Sequence, residues 1–312
     1  MNEAPTKPVI LVHSDEYSNW VFNENHPTQG RRFTHARDTF TDETLKEGIQ
    51  VREVAPKVAS RTDLELVHSA DYVSEVLDEH LSNEWSGPRA DLSSLAATFA
   101  GGTLVALESL LNEEAQVAIH FPGAKHHAQY DHSSGFCVFA DFALAAQIAA
   151  ERYEKKVAIL DIDAHHGDGT ENLTKESASI LSFSIHEYGI FPGTGLESKP
   201  EQFLFNYPLG TSKGSGESSK DDSALGRGVE KFILVASEFQ PDLIFIACGA
   251  DGHEEDPLST LRYSINGFKN VASRLKESFP NTPFLIGGAG GYLPDTRTPE
   301  VWSAFATAIS RK

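Results

Sequence analysis

The feature that most constrains this chain is an alternation. Short, almost wholly apolar runs are separated by longer amphipathic stretches from one end of the sequence to the other. A strand can be apolar on both faces only if both faces are covered, and amphipathic helices between such runs supply the cover. The pattern predicts an α/β protein with a mainly parallel sheet. Strands are expected at 9–13, 49–54, 116–121, 157–161, 180–185, 243–248 and 283–287, with a further one at 203–209. Helices are expected at 64–80, 92–112, 141–155, 223–239, 265–278 and 299–310. The Gly/Ser-rich stretch 210–219 is short enough to be a surface loop rather than a domain boundary. With no internal repeat, residues 1–312 are read as one domain.

Composition narrows the function. Lys and Arg total 26 against 45 Asp and Glu, a net charge of −19, which argues against a direct grip on nucleic acid phosphates. Solubility is the plain reading of that acidity; attraction of cationic substrates such as Lys-rich peptides or polyamines is the sharper one. Cys137 and Cys248 have no CxxC or CxxH around them, which removes a cysteine zinc site and suits a reduced, cytoplasmic chain. Residues 1–8 are polar, and no apolar run approaches membrane-spanning length, so neither secretion nor a bilayer is expected.

The histidines are unevenly placed. Of 13, seven fall between His120 and His186, several just past expected strand ends, where open parallel sheets bind ligands. The densest stretch runs Asp161-Ile-Asp163-Ala-His165-His166-Gly-Asp168-Gly169. A buried strand seldom ends in unpaired carboxylates. In extended chain, residues two apart share a side, so Asp163 and His165 can aim at one metal ion. Asp251, the first carboxylate after another apolar strand, is a candidate third ligand, although an Asp in a tight turn is common. His253, Glu254 and Glu255 read as solvated. The adjacent His126 and His127 suit acid–base work, with Asp161 and Asp168 available to orient them, although an exposed pair would look the same. Gly287-Gly-Ala-Gly-Gly-Tyr292 allows close backbone approach and ends in a phenol able to donate to an oxyanion.

Taken together, these segments resemble the histone deacetylase family, which includes acetylpolyamine amidohydrolases and acetoin-utilisation proteins. The resemblance rests on Pro122-Gly-Ala-Lys-His-His-Ala128, Ser134-Gly-Phe-Cys137, the Asp161–Gly169 stretch, Ser184-Ile-His186 with Phe191-Pro-Gly-Thr-Gly195, Gly249-Ala-Asp251 with Asp256-Pro-Leu258, and the glycine-rich Tyr292 loop. His26-Pro27 and His68-Ser-Ala-Asp-Tyr-Val73 add to it upstream. It implies an arginase-like fold with a parallel sheet of about eight strands. It implies Zn²⁺, or Fe²⁺, on Asp163, His165 and Asp251. His127 would be the general base, with His126 positioning water and stabilising charge. Asp161 would orient His126, Asp168 would orient His127, and Tyr292 would serve the oxyanion. Potassium is implied at Asp161, Ser184 and the carbonyls of Asp163, His165 and Ile185. A tunnel for an acyl-lysine stem would be walled by Phe136 and Phe191, with Gly135, Gly290 and Leu258 beside them.

Three positions depart from the pattern: Lys125 before the His pair, Ala140 where many relatives have Asn, and Leu258 where polyamine-specific relatives place Glu. The last favours an acyl-lysine peptide or protein over a small acylated amine. An arginase-type di-manganese centre needs more ligands than can be placed. A non-catalytic acyl-lysine binding protein would lack a base, ligand or tyrosine, and none is missing. Oligomer formation stays open, with 80–91 and 210–220 as candidate contact loops.

Overall fold

Parallel strands require crossovers, and the computed structural model, which describes residues 7–311, meets that requirement with helices on both faces of one sheet. Residues 1–6 of the N-terminal segment considered above lie outside the described residues. The strands are β1 Val9–Val12, β2 Val51–Val54, β3 Val117–His120, β4 Val157–Asp161, β5 Ile180–Glu187, β6 Leu204–Leu209, β7 Leu243–Ala247 and β8 Phe284–Gly287. Their order is β2-β1-β3-β8-β7-β4-β5-β6, and every pairing is parallel. All eight expected strands are present. The central ones are buried along their whole length, as their largely apolar character requires, with only His120 and Asp161 polar at the ends of β3 and β4.

The helices are α1 Arg31–Glu47, α2 Arg61–Leu64, α3 Ala70–Leu77, α4 Ala90–Leu111, α5 Asp141–Tyr153, α6 Asp168–Thr174, α7 Asp222–Phe239, α8 Ile265–Ser278 and α9 Arg297–Ser310. The helix expected over 64–80 is broken, because the Ser69 side chain accepts from Tyr72 N–H and starts a new helix. Two helices escaped the apolar pattern. In α1 the buried positions Phe33, Ala36, Phe40 and Thr44 keep helical spacing but are diluted by charged and Thr residues. In α6 a helix of about two turns starts inside the Asp/His stretch. The expectation that no segment approaches membrane-spanning length needs correcting for α4, which is 22 residues long and apolar enough by composition. Its length is spent inside the fold, with Leu92, Leu95, Phe99, Leu107 and Leu110 buried in the core.

Because the sheet is parallel, the loops after β3, β8, β7 and β4, four neighbours in the middle of the sheet, all emerge at one end. Those four loops carry His126 and His127, Tyr292, Asp251, and Asp163 with His165.

Candidate active site

Asp163, His165 and Asp251 converge as expected. All three are buried, and one ligand atom from each lies within 4.8 Å of the others. His165 Nδ1 sits 2.8 Å from Asp251 Oδ2 and 3.2 Å from Asp163 Oδ1. The remaining oxygens are fixed by backbone: Asp163 Oδ2 accepts from Gly290 N–H at 2.7 Å, and Asp251 Oδ1 from Ala164 N–H at 2.9 Å. Burial and the facing Asp163 carboxylate push Asp251 up to about 7. For His165 burial acts downward, but the two carboxylates prevail and lift it to about 11. Two like charges this close in a dry site call for a cation to hold them together.

The adjacent histidines point to different carboxylates. His126 Nδ1 lies 2.6 Å from Asp161 Oδ2, and His127 Nδ1 lies 2.7 Å from Asp168 Oδ1. Their rings are 4.0 Å apart, centre to centre. Burial alone would lower His126, but Asp161 and Asp163 overcome it and raise the group to about 9. His127 falls to about 4 because burial and the neighbouring His126 charge outweigh Asp168. The pair is therefore split into one cationic and one neutral imidazole. Tyr292 keeps its proton: burial, then the Asp251 and Asp163 charges, place the phenol well above its ordinary value.

An open cavity of about 420 Å³ leads down to these groups between Phe136, Phe191, Leu258 and Tyr292. Phe191 meets the His127 ring edge-on at 4.9 Å, and Phe136 meets Tyr292 at 6.2 Å. Gly135 and Phe136, both with positive φ, form a two-residue hairpin turn closed by Ser134 and Cys137. Gly135 brings backbone so near His127 that a Cβ would stand 2.4 Å from Cδ2. Gly290 lines a smaller inner cavity that shares His127, Gly135, Phe136 and Tyr292 with the outer one, and its N–H donates to Asp163. The solvated reading of His253 fails: the residue is buried and its Nδ1 accepts from Glu255 N–H, while Glu254 and Glu255 are exposed.

Several further residues support the site. Asp141, fully buried, accepts from Thr103 Oγ1, Ala124 N–H and Lys125 N–H, clamping the loop that leads into the His pair. His120, behind it, bridges Thr103 at 2.9 Å and Tyr17 at 3.0 Å. Gln129 donates to the second oxygen of Asp168. Asp256 accepts from Tyr292 N–H at 2.8 Å and from Leu258 N–H at 3.0 Å, fixing the phenol and the cavity rim together. Glu84 stands at the cavity mouth, one oxygen accepting from Phe136 N–H. Of these, Asp256 lies in a segment that carries the resemblance and His120 opens the histidine-rich stretch; His68, whose Nε2 accepts from Ala140 N–H at the start of α5, lies in another such segment. Asp161 and Ser184 are register partners on β4 and β5. The Asp163 and His165 carbonyls accept no hydrogen bond from a described residue.

Comparison with known proteins agrees with this arrangement. The histone deacetylase domain matches residues 26–309. Acetoin utilization protein AcuC of Bacillus subtilis (strain 168) is 30% identical over 94% of this chain and 80% of its own length. Its namesake in Staphylococcus aureus (strain MRSA252) is 30% identical over 94% and 79%. The crystal structure of the HDA15 HD domain superposes with a TM-score of 0.83 at 21% identity, covering 97% of this chain and 88% of that one. That likeness fixes the architecture as the arginase-like α/β fold. With the domain matched along nearly its full length, this chain belongs to the histone deacetylase family.

Proposed function

We propose that the protein is a metal-dependent deacetylase that removes acetyl, or another short acyl group, from lysine side chains. The observation that carries this reading is the meeting of a neutral, carboxylate-oriented imidazole with a buried Asp/His/Asp triad at the floor of an apolar cavity. One imidazole and two carboxylates packed this closely and buried suit a divalent ion such as Zn²⁺ or Fe²⁺. A divalent ion held by Asp163, His165 and Asp251 would polarise the amide carbonyl and acidify water.

The chain's own groups do the rest. His127 Nε2, free because Nδ1 is engaged with Asp168, takes the proton of the attacking water and returns it to the departing amine nitrogen. His126, held cationic by Asp161, stabilises negative charge developing beside it. Tyr292 donates its phenolic proton in a hydrogen bond to the oxyanion. Phe136 and Phe191 exclude water from a methylene stem. Potassium is assigned to Asp161, Ser184 and the carbonyls of Asp163, His165 and Ile185; the facing side chains and the unengaged Asp163 and His165 carbonyls support it.

Glu84 at the mouth supports a second reading, a small acylated amine whose distal ammonium it would meet; Leu258 on the rim favours the acyl-lysine. The test is acetate release from an acetyl-lysine peptide and from acetylspermidine, by zinc-loaded protein in potassium buffer with a chelated control. Chelator-sensitive turnover of the peptide supports the first reading. Preference for the polyamine supports the second, and no turnover of either with metal bound rules out acetyl as the group removed and points to a longer acyl group, a different small amide or a binding role.

A further inference from the structure

One buried carboxylate holds the loop that carries the imidazole pair. Asp141, the first residue of α5, is fully buried and forms no ion pair with a described residue. Lys125 and Arg32 are buried behind the pair, but the Lys125 ammonium lies over the Phe99 and Phe33 rings, at 5.4 and 5.6 Å, rather than on Asp141. Hydrogen bonds and the N-terminus of α5 compensate the carboxylate instead. Its Oδ1 accepts from Lys125 N–H at 2.7 Å. Its Oδ2 accepts from Ala124 N–H at 3.0 Å and from the Thr103 hydroxyl at 2.5 Å. Ala124 needs that grip: its φ of +67° lies in the left-handed region, where a residue with a side chain stays only if its surroundings enforce it. His126 follows two residues later.

The Thr103 hydroxyl is itself placed by a chain of groups. His120, at the end of β3, lies 2.9 Å through Nδ1 from Thr103 Oγ1 and 3.0 Å through Nε2 from the Tyr17 hydroxyl. Burial keeps this imidazole neutral, so one ring nitrogen donates and the other accepts. With Thr103 donating to Asp141, its oxygen accepts from His120 Nδ1–H, and the bare Nε2 accepts from Tyr17 O–H. The reverse order would need a protonated Asp141 and would leave the Tyr17 proton without a described acceptor. The chain therefore runs one way, from Tyr17 through His120 and Thr103 to the carboxylate. Gly102 on α4 makes room for it, since a Cβ there would stand 2.4 Å from His120 Nε2.

We propose that Asp141 is a positioning residue for the reaction, and that Tyr17, His120 and Thr103 act through it to fix where His126 and His127 stand. The link is short. Asp141 holds the amides of the two residues directly before the pair, whereas the carboxylates that the two rings must meet come from β4 and α6. A loop relaxed at Ala124 would carry both rings away from Asp161 and Asp168, and a misplacement of about 1 Å at a reacting group costs on the order of 10²-fold in rate. The kinetic side of this inference rests on the deacetylase reading; the ring hydrogen bonds can be followed without it.

The test is Thr103→Val, which keeps the shape of the side chain and deletes both of its hydrogen bonds, with Thr103→Ser as the conservative control. In zinc-loaded protein, kcat and KM are measured for an acetyl-lysine peptide. Proton NMR follows the low-field resonances of the His126 and His127 Nδ1 protons that bridge to Asp161 and Asp168. In Thr103→Val the resonances should shift and kcat should fall about tenfold or more, the worth of a hydrogen bond to a charged group, with KM and zinc content unchanged. Thr103→Ser should restore the parent values. Should the valine variant not fold, Tyr17→Phe, which removes only the donor at the far end of the chain, carries the test with smaller changes in the same direction. The proposal is overturned by unshifted resonances or parent kcat in folded Thr103→Val, by a serine variant as impaired as the valine one, or by a loss confined to KM or zinc. If the parent turns over no acetyl substrate, the functional reading fails separately and the resonances alone decide.

Discussion

Gly135→Ala tests whether the site depends on the placement of one imidazole. The new Cβ would stand 2.4 Å from His127 Cδ2, 2.8 Å from its Cγ and 3.0 Å from Phe191 Cε1. Carbon contacts are optimal near ~3.5 Å, so ring or turn must yield by about 1 Å. The ring has little room to retreat, since Asp168 grips Nδ1 at 2.7 Å and Phe191 closes its edge. A misplacement of about 1 Å at a reacting group costs on the order of 10²-fold in rate. The φ of +54° adds a stability loss of about 1 kcal/mol, because an L side chain is strained there. Turnover of an acetyl-lysine peptide should therefore fall about a hundredfold, while zinc content, measured by atomic absorption, stays stoichiometric, since all three ligands come from other loops. A folded, zinc-loaded variant that keeps the parent kcat would refute the claim that His127 is positioned by this turn.

Other outcomes follow from the same geometry. Tyr292→Phe should retain metal and lose about 10²–10³ in kcat, the worth of an oxyanion donor; unchanged turnover would remove the phenol from the mechanism. Asp251→Ala should lose metal together with activity, and stoichiometric zinc in that variant would mean that another group is the third ligand. His68 is buried neutral, lowered to about 4 by desolvation, with Nδ1 at 2.8 Å from the Gln129 carbonyl and Nε2 accepting from Ala140 N–H. Between the unfolded value near ~6.5 and the folded value the unfolded chain binds more protons, so stability is intact above that window and is lost as pH falls through it, by about 3 kcal/mol in all. Urea unfolding at neutral and mildly acidic pH should show a shallower loss in His68→Gln, and equal slopes would count against the assignment.

What the sequence made legible was the part in which chemistry forces unusual residues into apolar surroundings. Asp163 and His165 could be paired by their spacing, since an extended chain turns residues two apart to the same side. Asp251 could be proposed as their partner only because it follows another apolar strand, and the side-by-side packing of β7 and β4 is what joins them. Most of the supporting residues were not legible, for a different reason. Asp141 looks like any acidic residue in a first helical turn, and nothing local says that it holds the Ala124 and Lys125 amides. Arg32 belongs to a helix whose apolar stripe is thin, and its contact with Gly291 spans the whole chain. That Gly290 turns its N–H onto Asp163 is not legible either, because sequence gives proximity to a site but not the side from which a backbone N–H enters it.

The His126–His127 pair shows how identical neighbours acquire opposite roles. Adjacent residues in this loop cannot share a partner, so one ring meets Asp161 at the end of β4 and the other meets Asp168 at the start of α6. The first also faces Asp163, 3.8 Å from its Nε2, and so becomes the cation. That charge then helps to hold the second ring neutral, on the side where Gly135 and Phe191 bring it to the apolar cavity. The Asp/His/Asp carboxylates lie in front of the pair and Lys125 with Arg32 lie behind it, so the imidazoles stand on a boundary between negative and positive buried charge. A base at such a boundary can accept a proton toward the carboxylates without creating a new unpaired charge, which is what a proton shuttle between water and a leaving amine requires.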